Sequence, residues 1–293
     1  MAPRGAQIKY QVIDHLRKEY PVKMLCDALD VSRSGYYDYQ KRPNKDKDIE
    51  ELISYIYDQY EGVLGVRGIE MRLREDYCWK VNHKKVHRVM KKLELKAIIR
   101  KKRRYKNHRQ KSGGMKYENL LKQDFYAENP MEKLVTDVTE FKVNHTTLYL
   151  SSILDLFNNE IISYQLSQEN DIKLVEDTIH GAFKRIGTVH GAILHSDQGM
   201  QYRSNKYYEL SKEYNFTPSM SRKGTCLDNA SAEGFFSHFK AEAFHLFSFK
   251  TVKQAYKSVD EYIKYYNNQR YQKRLKSMSP AQYFNHYFNT AVA

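Results

Sequence analysis

Residues 133–141, KLVTDVTEF, decide how the second half of this chain is read. Apolar and polar residues alternate with the period of two expected of a strand, and Asp137 stands in the middle, on the opposite pleat face from Thr136 and Val138. A carboxylate inside such a strand is costly unless it is paired or ligates a cation. Downstream, TTLYLSSILDLF (146–157) and EIISYQLS (160–167) read as two more strands joined by a turn at Asn158 and Asn159. A helix is expected over 172–186, with Leu174, Val175, Ile179 and Phe183 on one face. There follow a short strand GAILHSD (191–197), a helix near 204–214, a short strand near 215–220, a polar loop SRKGTCLDN (221–229) and a long helix from about Asn229. A three-strand meander, a helix, another strand and further helices describe a mixed α/β domain.

Upstream the periodicity is helical. In YPVKMLCDALDVSRSGYYDYQ (20–40), Leu25, Leu29, Val31 and Tyr36 form an apolar pattern, and Ser32 is placed to cap a second short helix after a turn at Asp30 and Val31. That is the outline of a helix-turn-helix. A second copy is expected further on, with one helix near 67–76 and another near 83–93 capped by Asn82. In the latter Val86, Val89, Met90 and Leu93 make the buried stripe, while Lys84, Lys85, Arg88 and Lys92 face a major groove, a phosphate row or simply solvent.

The chain has 293 residues and a formal charge of +14, and the charge is concentrated. Residues 80–111 hold fifteen Lys and Arg, among them Lys101, Lys102, Arg103 and Arg104, against the single acid Glu94. The rest is close to neutral, so nucleic acid is the expected partner and this run is expected to follow its phosphates. Ser112, Gly113 and Gly114 mark a hinge. The resulting division is 1–45 (first helix-turn-helix module), 46–98 (second helical DNA-binding module), 99–124 (basic linker) and 125–293 (catalytic core with a helical, Tyr-rich tail whose rings either pack on the core or stack on bases). Aromatic residues at 13% exclude disorder throughout, and no apolar run reaches the roughly 20 residues that cross a bilayer. The opening twenty residues lack the apolar stretch of a secretory signal, and Cys26, Cys78 and Cys226 fall in no metal spacing. A cytosolic location without membrane contact is the expectation.

Three acids carry the chemistry. Asp137 lies within a strand, Asp197 ends another, and Glu233 sits in the first turns of a helix, where exposed amides favour negative charge. Two strand-borne Asp and one helical Glu could hold two Mg²⁺ about 3.5–4 Å apart, as phosphoryl-transfer enzymes do. His195, Ser196 and Asp197 contain the letters of a hydrolase triad, but neighbouring strand residues point to opposite faces. His195 shares the face of Asp197 and could orient a ligand; Asp155 is a fourth strand acid.

Thirty-five residues separate Asp197 from Glu233, and the flanks TDVTEF (136–141), LHSDQGMQYRS (194–204), SMSRKGTCLDNASAEGFFSHFKAE (219–242), YYNNQR (265–270) and SPAQY (279–283) make the pattern specific. With these motifs the chain resembles the integrase-core transposases of bacterial insertion sequences, of the DDE superfamily, and looks like the OrfB product of families with overlapping OrfA and OrfB frames. The resemblance implies an RNase H-like integrase core behind all-α helix-turn-helix modules. It implies Asp137, Asp197 and Glu233 as catalytic, metal-binding residues, two Mg²⁺ per site with Mn²⁺ able to substitute, and cleavage followed by strand transfer without a covalent protein–DNA intermediate. Lys240 matches a basic residue of the family that contacts DNA, and Asn229 falls near the site. Arg222 and Lys223 are candidate backbone contacts in their loop. Implied partners are terminal inverted repeats, target DNA, an OrfA portion or OrfA–OrfB fusion, and further copies in a synaptic complex. Leu134 and Leu227 stand where many members have Trp and read as packing changes, and Gln272 stands where some have His. Two other functions remain open at this point: a DNA-binding regulator with an inactive core, and an RNase H-like nuclease that only hydrolyses.

Overall fold

The computed structural model describes residues 4–41, 46–98, 114–186 and 191–291. It divides into two compact units, Met1–Leu52 and Ile53–Ala293. The first contains α1 (Arg4–Leu16), α2 (Val22–Ala28) and α3 (Arg33–Lys41), packed around Tyr10, Ile13, Leu25, Cys26 and Tyr36. Its turn has the expected chemistry. Asp30 adopts φ 49°, and Ser32 Oγ accepts the Gly35 amide at 3.1 Å, satisfying one of the open donors at the start of α3.

A further helix, α4 (Lys47–Gln59), leads into the second unit, followed by the hairpin α5 (Val66–Glu75) and α6 (His83–Lys92). Asn82 caps α6 by accepting the Lys84 amide at 2.8 Å, and Val86, Val89 and Met90 are buried. Lys84 and Arg88 lie on the exposed side and Lys85 is half-buried. Lys101, Lys102, Arg103 and Arg104 lie outside the described residues.

The remainder is built on one sheet of β1 (Lys133–Val143), β2 (Thr146–Asp155), β3 (Ile161–Ser167), β4 (Ile193–Ser196) and β5 (Thr217–Met220), in the order β3-β2-β1-β4-β5. The β1–β2 and β2–β3 pairs are antiparallel, whereas β1–β4 and β4–β5 are parallel. Parallel pairs need crossovers, which α7 (Ile172–Ile186) and α8 (Asn205–Glu213) supply. These two helices cover one face, where Leu134, Ile153 and Leu194 pack with Val175, Ile179 and Phe183. On the other face α9 (Ala230–Leu246) and α10 (Val252–Asn268) close over Val135, Phe141, Leu150 and Leu154, and α11 (Pro280–Ala291) packs on α10. Consecutive residues of β1 therefore enter different cores, Leu134 one and Val135 the other.

One expectation changes and one open choice closes. Residues 114–124, assigned to the linker on composition, belong to the packing of the core. Met115 N–H donates to Arg203 O at 3.0 Å, Met220 N–H to Glu118 O at 3.2 Å and Leu120 N–H to Ser219 Oγ at 2.9 Å, while Leu121 is buried. The segment covers the outer edge of β5, whose open backbone groups need partners. The tyrosine-rich tail is likewise a packing face, because Tyr262, Tyr265 and Tyr266 are buried in the core.

The second helical module is also tied to the core. Arg72 of α5 lies between the rings of Tyr60 and Tyr271, at 4.6 and 4.3 Å from their centroids. It pairs with Asp76 at 3.1 Å and donates to Gln269 O at 2.5 Å, while Tyr271 Oη donates to Asp76 at 2.6 Å. Arg72 is only 7% exposed, so removing it strands a carboxylate and two ring faces. Arg72→Ala should lower stability by about 2–4 kcal/mol, and Arg72→Lys should recover less than half of that because an ammonium cannot stack flat between two rings. Urea unfolding followed at Trp79 checks this, and a loss below about 0.5 kcal/mol would show that the contact is ornamental.

Candidate active site

The site begins with strand register. On the parallel β1–β4 pair, Lys133 faces Ile193, Leu134 faces Leu194 and Val135 faces His195. Carried forward by the same offset, Asp137 comes level with Asp197, the first residue beyond β4. Across the antiparallel side Asp137 faces Ser152, a small neighbour that leaves room beside the carboxylate.

Glu233 arrives on α9. Phe141 packs edge-on against Phe239 and Phe244 at centroid distances of 5.4 and 5.6 Å, and Lys240 Nζ donates to Thr139 Oγ1. Strand positions 137, 139 and 141 thus run alongside helix positions 233, 240 and 244. The lengths agree, with roughly 13 Å of strand against roughly 16 Å of helix. The buried stripe Ala232, Phe235, Phe236, Phe239 and Ala243 fixes this alignment and leaves Glu233 exposed at the end nearest Asp137.

The acids feel one another's charge. Burial pushes the Asp137 carboxyl well above the usual range, the charges of Asp197 and Glu233 push it the same way, and the Val138 amide and Lys240 ammonium pull partly against them. Asp197 is raised by burial against a hydrogen bond from the Gly199 amide. Glu233, itself exposed, is raised by partial desolvation and by the Asp197 charge. Asp137 accepts the Val138 amide at 2.8 Å and Asp197 the Gly199 amide at 2.7 Å. Among the described residues no three His, Cys, Asp or Glu side chains are drawn together tightly enough to enclose an ion. The donors are all carboxylate oxygens, which suits hard cations such as Mg²⁺ or Mn²⁺ and not thiolate-preferring metals.

Loops on two sides hold these acids, and local patterning did not reveal how. A side chain at Gly199 would place Cβ 2.9 Å from Asp197 Oδ1, so a larger residue in the turn after β4 would have to displace that carboxylate. Tyr202, buried behind the turn, lies close enough to Asp137 and Asp197 that their charges help raise its hydroxyl pKa after burial itself. Before α9, Asp228 is fully buried and accepts from Arg222 N, Nε and Nη2 at 3.0, 2.9 and 2.9 Å and from Asn119 and Gln123, both at 2.9 Å. The Arg222 hydrogen bonds, first among these, hold its carboxyl far below the usual range. Arg222 therefore braces the loop, and Lys223 beside it is exposed. Asn229 is 3% exposed, and neither end of its amide has a partner.

Other candidates find structural employment. His195 is fully buried, with Nδ1 2.8 Å from Ser219 Oγ and Nε2 3.1 Å from Ser221 Oγ, and burial pushes its pKa down to about 4. It joins β4 to β5 and does not face a ligand. Asp155 accepts the Met131 and Phe157 amides, both at 3.0 Å, away from the three acids. Arg270 of the YYNNQR motif clamps Glu242 through two bonds of 2.8 Å and reaches His238 at 2.7 Å, anchoring the far end of α9. Leu134 is buried, as a packing change requires, but Leu227 is 63% exposed and is not a packing residue.

A mixed sheet that brings two strand-borne Asp beside one helical Glu, with a lysine alongside, defines the class of polynucleotidyl transferases with an integrase core. The integrase core domain family matches residues 127–226, a second integrase core family matches 233–288, and an HTH-like domain matches 43–103. The chain is 43% identical over 278 residues to the putative transposase InsK of insertion sequence IS150 from Escherichia coli K12, covering 94% of this chain and 97% of that protein. It is 44% identical over 214 residues to a transposase-like protein of Haemophilus influenzae, covering 72% and 96%, and 29% identical over 287 residues to the E. coli transposase InsF of IS3A, covering 95% and 99%. Among solved structures, the HTLV-2 integrase catalytic core matches 52% of this chain and 95% of its own at 14% identity, with a TM-score of 0.44. The chain belongs to the insertion-sequence transposases of the OrfB, integrase-core type, enzymes that cleave and transfer DNA strands.

The raised carboxyls carry a stability signature. Native Asp137 holds its proton to higher pH than the unfolded chain does, so its contribution to stability falls as pH rises and the carboxylate forms. Without divalent cations, Asp137→Asn should raise the melting temperature by about 2–4 °C at pH 7.5, and the gain should shrink as pH is lowered toward 5. Calorimetry across pH checks both, and a destabilised variant at pH 7.5 would contradict the cost assigned to this carboxylate.

Proposed function

We propose that Asp137, Asp197 and Glu233 are the catalytic, metal-holding residues, and that two Mg²⁺ per site, replaceable by Mn²⁺, serve the cleavage and joining of insertion-sequence ends. The reading rests on one observation: Asp137 on β1 comes level with Asp197 at the end of β4, and α9 packs along β1 so that Glu233 arrives at the same end. Bound cations lower the pKa of an attacking hydroxyl and offset charge on the leaving oxygen. Asp137, whose carboxyl feels the charge of both other acids, would contribute to both cation sites, Asp197 and Glu233 each completing one. Lys240, held over Thr139, would orient a phosphate beside Asp137. In cleavage a water oxygen forms the new bond to phosphorus and the 3′ oxygen leaves as a hydroxyl. In joining, that 3′-hydroxyl attacks a second phosphodiester in line and displaces its leaving oxygen, so the bond count is conserved and no protein atom becomes covalently attached.

The remaining candidates would grip DNA: Asn229, Arg222 and Lys223 near the site, Lys84, Lys85 and Arg88 on α6, and Lys101, Lys102, Arg103 and Arg104 along the phosphates. The division proposed is 1–45 and 46–98 as DNA-binding modules, then a basic linker that ends near residue 113, then the core. Terminal repeats, target DNA, an OrfA–OrfB fusion, and further copies in a synaptic complex are the proposed partners, in the bacterial cytosol at the nucleoid. No helix among the described residues is long and apolar enough to cross a membrane.

The test is a cleavage-and-joining assay on labelled repeat DNA with Mg²⁺ or Mn²⁺. Joined strands longer than the substrate mark transfer, since hydrolysis alone only shortens strands. Glu233→Gln should reduce both reactions by at least about 100-fold while DNA affinity stays within about tenfold. A fully active Glu233→Gln protein would remove the carboxylate assignment.

A further inference from the structure

The two most instructive side chains outside the acids are apolar. Among the described residues Met200 is 67% exposed and Leu227 63% exposed, which places both with Ile8 and Tyr126 as the large apolar groups most open to solvent. A single exposed apolar residue needs no explanation. These two differ in position and in how they are held.

Each stands on a fixed pedestal made from the site itself. Met200 follows Gly199, whose amide binds Asp197 at 2.7 Å, and precedes Gln201, bonded to Asn170 at 2.6 Å, and buried Tyr202. Leu227 precedes Asp228 and Asn229, which are 0% and 3% exposed, and the Asp228 carboxylate is fixed by Arg222, Asn119 and Gln123. Backbone this constrained could turn an apolar side chain inward; here the neighbours are buried and the apolar group is turned out. The two loops are joined directly, since Gln198 Nε2 donates to Ser221 O at 2.9 Å. Met200 lies three residues beyond Asp197, and Leu227 lies six residues before Glu233.

We infer that Met200 and Leu227 are a pair of prongs that hold unstacked bases of the DNA next to the scissile phosphate. The inference rests on the strand-cleavage reading of the three acids and adds what surrounds them. A polyanion brought to this site presents two kinds of surface, charged phosphates and the apolar faces of bases. The phosphates are served by Lys240 and Lys223. An apolar side chain has nothing to offer a phosphate, but it can occupy the place of a neighbouring base once a step is opened. Opening is useful at a duplex end, where a paired and stacked base keeps the backbone from entering a site walled by two loops. Side chains already held out in the free protein lose little freedom on binding, so they lower the cost of that distortion.

The test uses the full chain and repeat DNA carrying 2-aminopurine, a base whose fluorescence rises on unstacking, at the pairs flanking the cleavage position, with Ca²⁺ to permit binding without turnover. Wild-type protein and Glu233→Gln should both give a several-fold rise. Leu227→Ser and Met200→Ser should each lose at least half of it at their own position. In Mg²⁺ these variants should cleave fully paired ends about tenfold more slowly, and ends with a mismatched terminal pair within about twofold of wild type, because the mismatch does the prong's work in advance. Leu227→Phe should keep the wild-type rise. Equal slowing on paired and mismatched ends, or an undiminished rise in both serine variants, would overturn the prongs. A wild-type protein that binds without any rise would overturn them too while leaving the cleavage reading intact. A normal rise with no cleavage would do the reverse.

Discussion

The packing of α9 along β1 is the constraint on which the rest depends. The sheet alone sets Asp137 level with Asp197, a pair that would serve one cation, and a second cation needs a further carboxylate. The third carboxylate comes from a helix far along the chain, and its position is decided by where the Phe239 and Phe244 rings meet Phe141 and where Lys240 meets Thr139. Hydrophobic burial on one stripe of the helix thus places a charged group on another. It does so against electrostatic resistance, since each added negative charge makes the neighbouring carboxyls harder to ionise. The apolar core supplies the free energy that holds the acids in that arrangement, and the raised carboxyls are the trace it leaves in the absence of a counter-charge.

The surroundings of α9 are built to keep it in place. At its start, buried Asp228 gathers donors from Arg222 and from two residues of the edge segment, Asn119 and Gln123. At its far end Arg270 fixes Glu242, and the adjacent Gln269 carbonyl accepts from Arg72 of the second helical module. The groups that orient the catalytic helix and those that dock a DNA-binding hairpin are therefore neighbours in the same region of the tail.

Much of this was legible in the sequence, for a physical reason. The strand alternation around Asp137, the bounds of α7 and the caps at Ser32 and Asn82 are local effects, set by residues a few positions apart. The three acids were legible because strand, turn and helix start each have local signatures, and their spacing with its flanks completed the pattern. What escaped depends on partners far away in the chain. Residues 114–124 look like linker because polar side chains hide a backbone that pairs with the edge strand. His195 looks like a site residue until Ser219 and Ser221 are seen to bind both ring nitrogens. Leu227 looks like core until Asp228 is seen to be pinned beneath it.

The central claim is that three carboxylates, brought together by α9 on β1, form one centre that calls for a cation. The most direct measurement is thermal unfolding at pH 7.5 with and without Mn²⁺, for the wild type, each single carboxamide variant, and the triple variant. At concentrations well above the dissociation constant, Mn²⁺ should stabilise the wild type by about 2–3 kcal/mol, less in each single variant, and not at all in the triple variant. Equal stabilisation of wild type and triple variant would place the cation elsewhere and contradict the account.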